Sequence, residues 1–145
     1  MTTFLLSKET ELGRKPLNRR ILENLTDFID NMKILFAGSP QSSAKILNSM
    51  ANAGFDIVGV ISQPDKRSKR GRGKEASSVA AEAFKLGIQT FKPTKLDNLF
   101  KQEITQLNFD FLVVSAYGKI LPEWMLDAPN IAPINIHFSL LPKYR

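Results

Sequence analysis

From residue 33 onward, short apolar runs alternate with segments whose apolar residues recur at helical spacing, and few folds accept that pattern. Lys33–Ala37 reads as a buried strand ending at Gly38-Ser39-Pro40, and Asp56–Ser62 and Phe109–Ser115 read as two more. Ile88–Phe91 is a shorter strand, and Ile131–Phe138 is the last. Between them, Gln41–Ala53 carries Ala44, Leu47 and Ala51 on one helical face and stops at Gly54. The Ala-rich stretch Ser78–Leu86 stops at Gly87, Asp97–Leu107 is helical, and Pro122–Leu126 is a helical turn opened by proline. Strands separated by helices of about ten residues mean βαβ units. The expected fold class is α/β: a doubly wound, Rossmann-like, mostly parallel sheet with right-handed crossovers and both faces covered. No internal repeat is present.

The chain's 145 residues suit one domain, and 43% hydrophobic with 23% charged residues excludes disorder, collagen and coiled coil. With no cysteine and one histidine, a disulfide framework, a zinc ribbon or another metal site is not expected. No run approaches the ~20 apolar residues of a membrane span. The start lacks a signal peptide's apolar core, and Glu9 and Glu11 argue against a transit peptide. A cytoplasmic protein without membrane association is the expectation. Residues 1–31 form an N-terminal extension in which Leu17, Ile21, Leu22, Leu25, Phe28 and Ile29 recur at helical spacing. This amphipathic helix either docks on the domain or is dispensable to it, and Met32 is an alternative start.

The charge is concentrated. Lys66, Arg67, Lys69, Arg70, Arg72 and Lys74 lie in one nine-residue run without an acid, and its +6 equals the net charge of the chain. With two glycines and no apolar residue the run reads as an exposed, mobile loop. It is either a solvated charge run or a clamp on a nucleic-acid backbone, where cations displace condensed counterions.

In an open parallel sheet, ligands collect beyond the carboxyl ends of the strands. Four segments belong there: Gly38–Pro40, the loop from Gln63, Ala116–Lys119 and His137–Pro142. The first lacks G-x-G-x-x-G, so a nicotinamide cofactor is not expected. On the last strand, Ile134, Ile136 and Phe138 alternate with Asn135, His137 and Ser139. One face is then apolar, and the other aligns an amide, an imidazole and a hydroxyl, with the Asn135 and His137 Cα atoms about 6.5–7 Å apart. An amide donor can hold an oxyanion and an imidazole can move a proton. The same pair could equally serve only to satisfy loop carbonyls. Ser139 lacks the G-x-S-x-G setting of a hydrolase nucleophile, and paired carboxylates for glycosidase chemistry are missing from the strand mouths.

Four strings stand in order: FAGSP (36–40), SQPDK…RGRGK (62–74), AYGKILP (116–122) and NIHFSLLPKYR (135–145). Together they resemble the N-terminal catalytic domain of the methionyl-tRNA formyltransferases, over residues 32–145. The resemblance implies a formyltransferase fold, incomplete at the C-terminal end, and formyl transfer from 10-formyltetrahydrofolate to methionyl initiator tRNA in translation initiation. It implies Asn135 and His137 as catalytic residues. Gly118, Lys119, Ile120, Leu121, Ser139, Leu140, Leu141 and Pro142 would line the folate site. The basic run from Lys66 to Lys74 would meet the tRNA acceptor stem. Departures from the family pattern are a Gly-Arg-Gly-Lys displaced toward the C-terminus and Ala76-Ser77-Ser78 where prolines are usual. The family's catalytic aspartate and OB-like C-terminal domain would lie beyond Arg145. The expectation for these residues by themselves is an open sheet edge, poor solubility and no turnover, with the full-length form a monomer. Two rivals stand beside this reading. One is a folate-dependent formyltransferase acting on a small amine; the other is a non-catalytic RNA- or folate-binding fragment.

Overall fold

A computed structural model describes residues 19–67 and 73–139. The elements run α1 (Arg19–Asp30), β1 (Lys33–Gly38), α2 (Gln41–Asn52), β2 (Asp56–Ile61), β3 (Lys66–Arg67) and β4 (Lys74–Glu75). They continue with α3 (Ser78–Lys85), β5 (Thr90–Phe91), α4 (Asn98–Thr105), β6 (Phe111–Ser115), α5 (Glu123–Leu126) and β7 (Ala132–Asn135). Five strands form one sheet in the order β5-β2-β1-β6-β7, and every neighbouring pair is parallel. The chain winds outward from β1 through β2 to β5, then crosses back to β6 and β7. The doubly wound sheet expected from the alternation is the one observed.

Period-two alternation along the strands divides the interior in two. Leu35 and Ala37 of β1 enter one core with Ile61, Leu112, Phe100, Ile104, Phe109 and Met125. Ile34 and Phe36 enter the other with Ala44, Leu47, Val60, Val79, Ala83 and Val113. Thus α4 and α5 cover one face and α2 and α3 the other, which is why β1 reads as an unbroken apolar run. Each large side chain fully buried here contributes about 1.5–3 kcal/mol. The helices stop where the glycines predict: Gly54 and Gly87 take φ of +86° and +69°, the left-handed region open to a residue without Cβ. A register shift between Ile34 and Leu35 leaves Val58 without a partner on β1 and sets Gly59 beside Leu35, where a Cβ would crowd Phe91.

Several boundaries differ from the sequence expectation. The last strand is Ala132–Asn135 rather than Ile131–Phe138, because its partner β6 ends at Ser115. One further ladder bond, from Ile136 N–H to the Val114 carbonyl at 2.8 Å, closes the pairing. Its expected apolar face is only partly used: Ile136 packs on the α2–α3 side, while Ile134 and Phe138 are exposed. Pro122 is the N-cap of α5 rather than its first residue. In the N-terminal extension, Leu17 lies outside the described residues. Ile21, Leu25 and Phe28 of α1 stay exposed, and Phe28 lines one hollow with Met32, Asp110 and Ile131. The basic run is not simply a loop: its ends pair antiparallel as β3 and β4, Lys66 opposite Glu75 and Arg67 opposite Lys74.

Candidate active site

The loops that leave β1, β2 and β6 enclose a cleft of about 610 Å³ at the carboxyl edge of the sheet. It sits where the winding reverses, between strands whose successors go opposite ways, the usual ligand position in such sheets. Ser39, Gln63, Ser77, Ala116, Tyr117 and Gly118 are among its lining, and Lys66 and Glu75 bring the foot of the ribbon to its rim.

The cleft is braced by hydrogen bonds between its loops. Ser39 Oγ donates to the Tyr117 carbonyl at 3.2 Å, and Gln63 Nε2 donates to the same oxygen at 3.0 Å. Gln63 N–H in turn donates to Ser39 Oγ at 3.3 Å. Beneath them, buried Ser43 donates to the Ser115 carbonyl at 2.6 Å. Ser77 caps α3, accepting from Ala80 N–H at 3.0 Å, while its hydroxyl also pairs with that of buried Ser62. Pro40, which has no side-chain acceptor, stands at the start of α2, so no side chain caps that helix where it faces the cleft. Lys92 Nζ reaches Asp65 at 2.5 Å, tying the base of the ribbon to the end of β5. The Tyr117 phenol is buried among apolar side chains with no hydrogen-bond partner, and burial pushes it up to about 12.

The residues singled out from sequence are placed unequally. Asn135 lies at the carboxyl end of β7 beside Val114, exposed at the same edge as the cleft. His137 and Ser139 follow in a turn rather than on the strand, so the three side chains do not form one strand face. His137 Nδ1 lies 2.8 Å from Ser139 Oγ. Gly118 lines the cleft, but its neighbours diverge: Ile120 is 96% exposed and Leu121 packs on the α4–α5 core. The Lys119 ammonium turns away to the carbonyls of Pro93 and Thr94, 3.0 Å from each. Lys66, Arg67 and Lys74 are exposed on the ribbon. Lys69, Arg70, Arg72, Leu140, Leu141 and Pro142 lie outside the described residues. The segments holding Ser39 and Gln63 are legible in the sequence as strand-mouth loops and do line the cleft, but sequence reasoning missed the bonds by which they brace it and missed Ser77 as a cleft residue. Ser77 had a signal, a serine directly before an Ala-rich helical run, which is an N-cap pattern. Among the described residues, no group of three or more His, Cys, Asp or Glu could hold a metal, and no helix is long and apolar enough to cross a membrane.

Residues 32–145 match the family described as Formyl transferase. The methionyl-tRNA formyltransferase of Mycoplasmopsis pulmonis is 45% identical over 114 residues, covering 79% of this chain and 39% of the relative. That of Sulfurihydrogenibium is 45% identical over 118 residues, with 79% and 37% covered. The chain therefore spans about two fifths of the length of these relatives. Among solved structures, glycinamide ribonucleotide transformylase 1 from Geobacillus kaustophilus superposes with a TM-score of 0.57 at 15% identity, over 79% of this chain and 62% of that one. Phosphoribosylglycinamide formyltransferase from Streptococcus pneumoniae gives 0.55 at 20% identity, with 78% and 59% covered. The structural likeness speaks for the fold, and the match over residues 32–145 goes further: this chain belongs to the formyl transferase family.

Proposed function

We propose that the chain is the catalytic part of an enzyme that transfers a formyl group from 10-formyltetrahydrofolate to the amine of methionyl initiator tRNA in the cytoplasm. The observation that carries this reading is the basic ribbon at the rim of the cleft, with Lys66 itself in the lining. A small amine has no use for six clustered cations, whereas an RNA acceptor stem supplies the phosphates they neutralise. In the reaction, the amine nitrogen attacks the formyl carbon and a tetrahedral oxyanion forms. Asn135, with its amide donor at the end of β7, holds that oxyanion. Collapse breaks the bond to the folate N10, which takes up a proton as the attacking amine gives one up to water, while the His137 ring donates a hydrogen bond to the oxyanion alongside Asn135. Gly118–Leu121 and Ser139–Pro142 flank the folate. Of these, Ile120 offers an open apolar surface, and the Lys119 hydrogen bonds fix the loop rather than reach into the cleft.

Titrating initiator methionyl-tRNA against the chain at several salt concentrations tests the ribbon. Replacing Lys66, Arg67 and Lys74 by alanine should lower the log–log slope by about 0.7–0.9 for each phosphate that is no longer neutralised. An unchanged slope returns the run to a solvated charge cluster and favours the small-amine reading. In the full-length enzyme, Asn135→Ala should cut turnover about 10²–10³-fold. Normal turnover by a folded variant would leave Asn135 a structural residue.

A further inference from the structure

The turn after β7 folds Ser139 back onto the histidine two residues before it. Ser139 N–H lies 3.3 Å from His137 Nδ1 and meets it as a hydrogen bond, and Ser139 Oγ lies 2.8 Å from the same nitrogen. A backbone N–H can only donate, so Nδ1 must present its lone pair. The proton of the neutral ring then sits on Nε2, on the far side of the imidazole.

We propose that Ser139 is a positioning residue: it fixes His137 in the Nε2–H tautomer and directs that N–H away from the turn as the working donor. This rests on the reading of His137 as a donor to the oxyanion. It assigns Ser139 a task other than lining the folate site. The hydroxyl matters more than the amide. When the ring becomes protonated, Nδ1–H can no longer accept from the backbone, but the Ser139 hydroxyl can rotate and accept from it. One side chain thereby holds the ring in place through both protonation states, with Nε2–H kept as the outward donor in each. The turn supplies this locally, within three residues.

The test is direct because His137 is the only histidine in the chain. In the ¹⁵N-labelled protein, at a pH where the ring is neutral, the two imidazole nitrogen shifts report the tautomer ratio. The wild type should show an unprotonated Nδ1 and a protonated Nε2. Ser139→Thr keeps a hydroxyl and should preserve the ratio. Ser139→Val has the same branched shape without it, and should lower the ratio of Nε2–H to Nδ1–H about three- to tenfold, the worth of one hydrogen bond. If the valine variant does not fold, Ser139→Ala gives the same reading. A protonated Nδ1 in the wild type, or equal ratios in the threonine and hydroxyl-free variants, overturns the proposal. No folate or RNA is present, so failure here is distinct from failure of the proposed reaction.

Discussion

Replacing Gly38 by alanine puts one methyl group at the point where the sheet becomes the cleft. A Cβ there would lie 2.8 Å from the Ser115 carbonyl oxygen, 2.9 Å from Phe36 Cε1 and 3.1 Å from Ser43 Cβ. Gly38 does not use the left-handed region, so the cost is steric rather than torsional. The closest atom is backbone of a paired strand: Gly38 and Ser115 are register partners between β1 and β6. Relief therefore means moving β6 or turning Phe36, which is fully buried. Overpacking of that kind costs about 1–3 kcal/mol. Displacing the Ser115 carbonyl also breaks its 2.6 Å bond from buried Ser43, leaving polar groups unsatisfied for a further ~1–2 kcal/mol. The sum, about 2–5 kcal/mol, should appear in urea unfolding as a lower midpoint with an unchanged slope. Gly73→Ala is the control: nothing lies within 4 Å of its Cβ position, and its effect should stay within about 0.5 kcal/mol. If Gly38→Ala unfolded within about 0.5 kcal/mol of wild type, the close approach of β1 and β6 described above would be wrong.

Ser77→Ala removes the cap of α3 and the partner of the buried Ser62 hydroxyl, and should cost about 1–3 kcal/mol by the same urea assay. Tyr117 ionises near 10 when unfolded but is raised to about 12 by burial, so its contribution to stability is complete below pH 10 and disappears between 10 and 12. Tyr117→Phe should flatten that alkaline loss and be neutral or stabilising by about 1 kcal/mol at pH 7, since it deletes an unpartnered buried hydroxyl; a marked destabilisation would reveal a partner. Asp110 accepts from Lys33 N–H at 2.9 Å and from Asn130, which lowers its pKa from 3.8. Its stabilisation is present above that value and lost as pH falls through the lower folded one. Asp110→Asn should therefore shallow the acid limb of a stability–pH curve, and an unaltered limb would refute the assignment.

What can be read from sequence follows the physics of burial. β1, β2 and β6 are legible because strands covered on both faces are apolar throughout, and their glycine-stopped helices mark the intervals. The ribbon is not, because Lys66, Arg67, Lys74 and Glu75 bury nothing: backbone pairing alone defines it, and that leaves no trace in hydropathy. β7 reads too long because its alternation of Ile134, Ile136 and Phe138 continues after β6 has ended, and only a partner makes a strand. At the site, Asn135 and the ribbon cations stand out by chemical type, whereas Ser39 and Ser77 are ordinary residues whose roles depend on three loops meeting. The separation of His137 from the strand face turns on one tight turn, too short for any periodicity to register.

The central position of β1 has a consequence for how the chain is made. Its partner on one side, β2, emerges from the ribosome shortly after it, but the other side waits for β6, and the Lys33–Asp110 bond beside that pairing spans 77 residues. At ~5–20 residues per second of synthesis, that interval is roughly 4–15 s. For those seconds one edge of the central strand, buried from Ile34 to Gly38 in the finished fold, has hydrogen-bonding groups and no partner. A nascent chain in that condition is a substrate for holding chaperones, and slow codons between β2 and β6 should lengthen its exposure in proportion.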